Sequence, residues 1–208
     1  MRIQTDFEEK LNALSHAVGA FLGIAGLVLL LVFNSEKTDH STFSVVVYGI
    51  SIIILFSASA LYHLAKTERR KHYFRIIDHI SIYILIAGTY TPVLLIALEA
   101  SLGWPLFWVV WGLALFGTIK KLFFTGRFEA FSVVLYLVMG WLVIFDIRNL
   151  CDAIGNGGIL LLMAGGLAYT GGVIFYAIER IPYNHVIWHL FVLAGAICHF
   201  FMVFGYII

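Results

Sequence analysis

Stretches of about 20 apolar residues, each long enough to cross roughly 30 Å of hydrocarbon as a helix, recur at about 13–33, 43–65, 76–98, 104–124, 128–148, 157–178 and 184–207. A 208-residue chain divided in this way has no length left for a soluble domain. Within lipid a spanning segment must satisfy its own backbone hydrogen bonds, which leaves helices as the available element for segments of this length. The expected fold is therefore an all-α membrane protein, a single seven-transmembrane helix bundle occupying 1–208. With 62% hydrophobic and 12% charged residues and a mean hydropathy of +0.97, the composition asks for lipid as its solvent. The connections are short, and no Ser/Gly linker, low-complexity tract or internal repeat interrupts the series.

Asp6, Glu8 and Glu9 precede the first apolar stretch, and no small-residue cleavage pattern follows it, so it reads as a retained span and not as a secretory signal. Orientation follows from the distribution of Lys and Arg. If the N-terminus is cytoplasmic, the inside segments hold Arg2, Lys10, Lys66, Arg69, Arg70, Lys71, Arg75, Lys120, Lys121, Arg127 and Arg180, and the outside ones hold Lys37 and Arg148. That split of 11 to 2 among the 13 Lys and Arg residues predicts a cytoplasmic N-terminus and an outside C-terminus. The net charge of +1 and the lack of a long basic run argue against a nucleic-acid partner. Cys151 and Cys198 do not form a disulfide framework.

An ionisable side chain inside a span costs roughly 2.5–3.5 kcal/mol on insertion scales, so each one is a candidate functional residue. Helix 2 is expected to end with Ser59-Ala-Leu-Tyr-His63, helix 3 to begin with Arg75-Ile-Ile-Asp78-His79, and helix 7 to begin with Asn184-His185-Val-Ile-Trp-His189. Under the predicted topology all three ends lie at the cytoplasmic side. His185 and His189 are four residues apart, which stacks two imidazoles about 6 Å apart on one helix face. Ser59 and His63 share a face for the same reason. A third imidazole from His63 completes a three-histidine set, the class that leaves zinc one open position for water, and Asp78 stands where it can hold that water or take its proton. Plainer roles are open to each: His63 as a cap for helix 2, Asp78 as a partner of Arg75 near a helix start, Ser59 as a donor to a helical carbonyl.

The stretches SASALYHL, RIIDHISIYILIAGTYTP and NHVIWHLFVLAGAICHFF, together with NALSHAVGA in the first span, resemble the bacterial hemolysin III branch of the progestin and adiponectin receptor (PAQR) family. The resemblance runs through essentially the whole chain. It implies a seven-helix fold with an inside N-terminus in the bacterial plasma (inner) membrane, with Zn2+ as cofactor held by His63, His185 and His189. It also implies that Asp78 joins the metal through water and that Ser59 stands beside the site. The related alkaline ceramidases extend the likeness to membrane metal-dependent hydrolases sharing one Ser, one Asp and three histidines.

Three functions fit these features: a zinc-dependent hydrolase of a lipid amide or ester, a membrane-lipid sensor with structural zinc, and a hemolysin-type pore-forming cytolysin. Membrane lipids are the expected partners in each, and the oligomeric state is not readable. His79 is expected to face the headgroups, His16 either supports the site or packs, and His199 lies too deep to share it and is expected to bond another helix. Thr89, Thr91 and Pro92 predict a break in helix 3 at which Thr hydroxyls satisfy freed carbonyls. Gly165, Gly166, Gly171 and Gly172 predict close helix packing.

Overall fold

The computed structural model describes residues 4–208, so Arg2, one of the basic residues counted above, lies outside it. Helix α1 covers Asp6–Val32, α2 Ser41–Leu64, α3 Glu68–Pro92, α4 Gly103–Phe124, α5 Glu129–Gly140, α6 Ile147–Ala177 and α7 Asn184–Met202. Short π-helical turns at Val93–Ala97 and Val203–Ile207 extend α3 and α7, and a 3-10 turn at Leu142–Asp146 joins α5 to α6. There is no strand among the described residues. The protein is thus all-α, and among the described residues six helical stretches are apolar and long enough to cross a membrane, one fewer than expected. The difference lies in Glu129–Ala177, a near-continuous helical run of 49 residues that contains the expected fifth and sixth spans. At 1.5 Å per residue a straight helix of that length would reach about 74 Å, more than twice the hydrocarbon thickness. Gly155, at φ 61° and ψ −176°, departs from helical geometry within the run.

Two helices start earlier than their apolar content suggests. Thr5 caps α1: its hydroxyl accepts from the Glu8 amide at 3.2 Å, and the Glu8 carboxylate accepts from the Thr5 amide at 2.9 Å, closing a reciprocal capping box. Thr67 caps α3 by accepting from the Arg70 amide at 3.4 Å, and Glu68-Arg-Arg-Lys71 are good helix formers. Asp78 consequently sits ten residues into α3 and not at its start.

The predicted break at Pro92 takes the form of a change from α to π winding at Val93. Thr89 and Thr91 donate to the Leu85 and Ala87 carbonyls at 2.8 Å each, as expected. At the same end of the bundle Asp146 draws α4 to the α5–α6 junction: it accepts from Ser101 Oγ at 2.6 Å, from the Leu102 amide at 3.0 Å and from Asn149 Nδ2 at 2.7 Å.

α1 packs on α2 and α7, α2 on α3, α3 on α4, and α6 on α7, while α5 packs lightly on α3, α4 and α6. The apolar windows of α2 and α3 are 61% and 67% buried and the others 28–33%, so these two helices are the centre and the rest present a face to lipid. Tyr48, Phe56, Tyr83, Leu94 and Met139 are among the fully buried side chains there. Of the four glycines named above, Gly165 and Gly172 do make close approaches: a Cβ would fall 2.3 Å from His199 Cδ2 and 2.8 Å from Trp188 Cε3. Gly166 and Gly171 are looser, with nearest neighbours at 3.8 and 3.6 Å.

Candidate metal centre

α2 is stopped just after His63 by extended Ala65, which leaves this imidazole in the last helical turn. α7 is started by Tyr183 in a left-handed conformation, and the Asn184 side chain donates to the Phe175 carbonyl at 3.0 Å, joining the start of α7 to the end of α6. These two boundaries bring His63 together with His185 and His189, which lie more than 100 residues further along the chain. Ring centroids lie 4.9 Å apart for His63 and His189, 5.2 Å for His63 and His185, and 4.6 Å for His185 and His189. One ring nitrogen from each lies within 4.8 Å of the other two, a cluster able to bind a metal ion.

The hydrogen bonds around the rings fit such an ion. His63 Nδ1–H donates to Glu9 Oε2 at 2.5 Å, and His63 Nε2 is buried with no protein partner. His189 Nδ1–H donates to the Asn12 carbonyl at 3.3 Å. In both rings the outer nitrogen is committed to a protein acceptor, which leaves Nε2 with a lone pair, the form that ligates metal. Glu9 is not part of the motif set read from the sequence, and Asn12 enters it only as the first residue of NALSHAVGA, with no role assigned to it. The signal that finds them is the Thr5-Asp-Phe-Glu8 capping box, which starts α1 at Asp6 and puts Glu9, Asn12 and His16 on one face of it.

His16 lies on the same face and supports the site from the side. Its ring stacks on His189 at a centroid distance of 3.6 Å and 10° between planes, and it meets Phe56 edge-on at 5.0 Å. Both of its ring nitrogens are buried without a protein partner.

Ser59 on α2 and Asp78 on α3 line the same cavity. With His16, His185 and His189 they line the polar end of this cavity of about 140 Å³. From there the walls are mostly apolar: Ile82, Leu85 and Ile86 on α3, Val133 and Leu137 on α5, Val173 on α6. The far end is reached at Tyr90, Trp141, Thr170 and His199. Asp78 and Tyr90 are twelve residues apart on α3, about 18 Å along the helix. His63, His185, His189, Asp78 and Ser59 are therefore all brought to one end of the bundle.

His79 departs from expectation. It is 6% exposed and faces inward, accepting at Nδ1 from the Lys121 ammonium at 3.2 Å. Lys121, itself 1% exposed, donates to Glu129 Oε2 at 2.5 Å. The partly exposed Glu129 carboxylate and the buried His79 imidazole draw the Lys121 ammonium inward, since a buried ammonium must be paired. His199 behaves as expected, with Nε2 donating to the Leu162 carbonyl at 3.2 Å across the α6–α7 contact.

The family model described as Haemolysin-III related matches residues 5–200. The chain is 44% identical over 202 residues to hemolysin-3 of Bacillus cereus, covering 97% of this chain and 92% of that protein. It is 42% identical over 200 residues to the hemolysin-3 homolog of Bacillus subtilis, covering 96% and 94%. The monocyte to macrophage differentiation factor of Homo sapiens is 29% identical over 212 residues, covering 98% and 86%. No solved structure matches the chain. The resemblance of the chain to the hemolysin III branch of the PAQR family is thereby borne out. A multi-pass all-α membrane protein with a cluster of three histidines able to bind a metal ion, the chain belongs to the haemolysin-III related family.

Proposed function

We propose that this protein is a zinc-dependent hydrolase of a lipid amide or ester, set in the bacterial inner membrane with its histidine cluster at the cytoplasmic side. The observation that carries the proposal is the cavity. Ser59, Asp78, His185 and His189 form the polar end of a long, mostly apolar space that runs deep into the bundle. A single acyl chain of roughly a dozen carbons matches a length of about 18 Å, and its head would then meet the polar end. Seven crossings are part of the same reading: the 49-residue run Glu129–Ala177 is too long for one crossing, and Gly155 supplies the point at which it divides. With seven crossings the two chain ends lie on opposite sides, and the 11-to-2 distribution of Lys and Arg favours an inside N-terminus.

His63, His185 and His189 would hold the ion. Zinc in a three-histidine site supplies Lewis acidity, making water acidic near pH 7 and polarising a carbonyl. The remaining steps fall to the chain itself. Asp78 accepts the proton of the attacking water and later delivers it to the leaving amine or alcohol. Ser59, which lines the same end of the cavity, would hold that carboxylate in place by donating to it. The apolar walls orient the acyl chain and exclude bulk water. Ligation requires neutral imidazoles, so acidification that protonates them releases the metal.

The test is to incubate purified wild type and Asp78→Ala with a panel of lipid amides and esters and to measure fatty acid release. Release by wild type that stops on chelation, returns with zinc and is missing from Asp78→Ala supports the proposal; no release from any of the lipids opposes it. In that second case a lipid sensor with structural zinc is the next reading, because an apolar cavity holds a lipid whether or not it is cut. The hemolysin-3 name of the Bacillus relatives keeps a pore-forming cytolysin as a third, which dye leakage from liposomes carrying the purified protein measures directly.

A further inference from the structure

The metal ligands come from α2 and α7, yet the groups that orient two of them come from α1. Glu9 uses its two carboxylate oxygens separately. Oε2 accepts from His63 Nδ1–H at 2.5 Å, while Oε1 pairs with the Lys71 ammonium at the start of α3. The His63 side chain is 2% exposed and Glu9 17%, so water has little access to replace that acceptor. Three residues further along the same face of α1, the Asn12 carbonyl accepts from His189 Nδ1–H. Without these acceptors the imidazole proton is free to move to Nε2, and a ring protonated there has no lone pair to offer at the centre of the cluster.

We infer that Glu9 is the positioning residue of the metal centre, holding His63 in the tautomer that presents Nε2 to the ion, with Lys71 fixing the plane of its carboxylate. This rests on the reading of His63, His185 and His189 as metal ligands. A carboxylate that bonds the outer nitrogen of a ligating imidazole sets its orientation and raises its basicity, and removing one lowers metal affinity by about 10–100-fold. Glu9 touches neither substrate nor metal in this role; it acts through His63.

The experiment uses the full-length protein purified in detergent and stripped of metal, titrated with zinc against a chromogenic chelator. Wild type binds one equivalent and His185→Ala loses that binding. Glu9→Ala is expected to weaken zinc about 10–100-fold, Glu9→Gln, which keeps an acceptor oxygen, by less than about tenfold, and Lys71→Met by no more than about threefold. Unchanged thermal unfolding of the zinc-free Glu9→Ala protein separates loss of orientation from loss of fold. Nitrogen-15 NMR of histidine-labelled, zinc-free wild type supplies a readout that needs no variant: the His63 signal should be that of the Nδ1–H tautomer. Three results overturn the inference while leaving the metal centre standing. These are Glu9→Ala binding zinc within twofold of wild type, Lys71→Met losing as much affinity as Glu9→Ala, or an Nε2–H tautomer at His63. Wild type that binds no zinc overturns both.

Discussion

The two sides of the bundle are built differently. α1, α2, α3 and α7 are packed closely around the histidines, with α2 and α3 the most buried helices of the chain. α5, by contrast, has three buried residues, Ser132, Leu135 and Met139, and packs lightly on α6. The histidine cluster lies on the first side, and the cavity takes part of its wall from α5 and α6 on the second. Rigid helices hold a ligand set to a fraction of an ångström, while a lipid chain of variable shape needs space and walls that yield. The contrast shows how one small bundle can serve both needs by dividing them between its sides.

Substitutions break or sharpen that contrast in a graded way. The largest effect is expected at the packed side: His189→Ala should abolish stoichiometric metal binding, read by elemental analysis of purified protein, since two remaining histidines no longer enclose an ion. Next is the balance between cavity and site. Leu137→Trp on α5 places an indole in the cavity and should reduce binding of a fluorescent fatty acid at least about tenfold while zinc content stays at one equivalent; loss of both would show that the two sides are not separable. At Gly117 on α4 a Cβ would fall 2.4 Å from the Tyr83 ring, so Gly117→Ala should lower stability by about 1–3 kcal/mol in thermal or denaturant unfolding. At Gly140 on α5 nothing lies within 4 Å of a Cβ, and the same substitution there should change stability by no more than about 0.5 kcal/mol. Smallest of all, His199→Leu at the far end of the cavity should leave zinc affinity within twofold. Acidification tests the packed side as a whole. Protonated imidazoles do not ligate, so zinc should be released as pH falls and be rebound when neutral pH is restored.

Much of this arrangement is legible in the sequence because hydrophobic length and charge asymmetry are strong signals. Hydropathy places the helices except for the division of Glu129–Ala177, and reading successive helices as alternating in direction brings Ser59, His63, Asp78, His185 and His189 to one end. Two kinds of feature escaped. Glu9 lies before the first apolar stretch and was read only as a flanking charge, because helices continue beyond the hydrocarbon wherever a cap such as Thr5 starts them. Lys121 was counted with the basic residues facing water, yet it is buried against His79 and Glu129. A pairing between helices depends on their rotation about their own axes, and hydropathy carries little information on rotation when lipid and core are equally apolar.

The hydrogen bond to His189 comes from the Asn12 main chain and not from a side chain. A residue-by-residue alanine scan of α1 would therefore remove the acceptor at Glu9 and leave the one at Asn12 in place, although both atoms orient ligands. The same carbonyl also accepts from Ser15 Oγ at 2.9 Å, which itself lies 3.5 Å from His189 Nδ1, so a change at Ser15 would reach His189 directly and through an oxygen that no codon at position 12 can delete. Part of the specificity of such a site is thus written into the path of the backbone, where it can drift only by moving a whole helix.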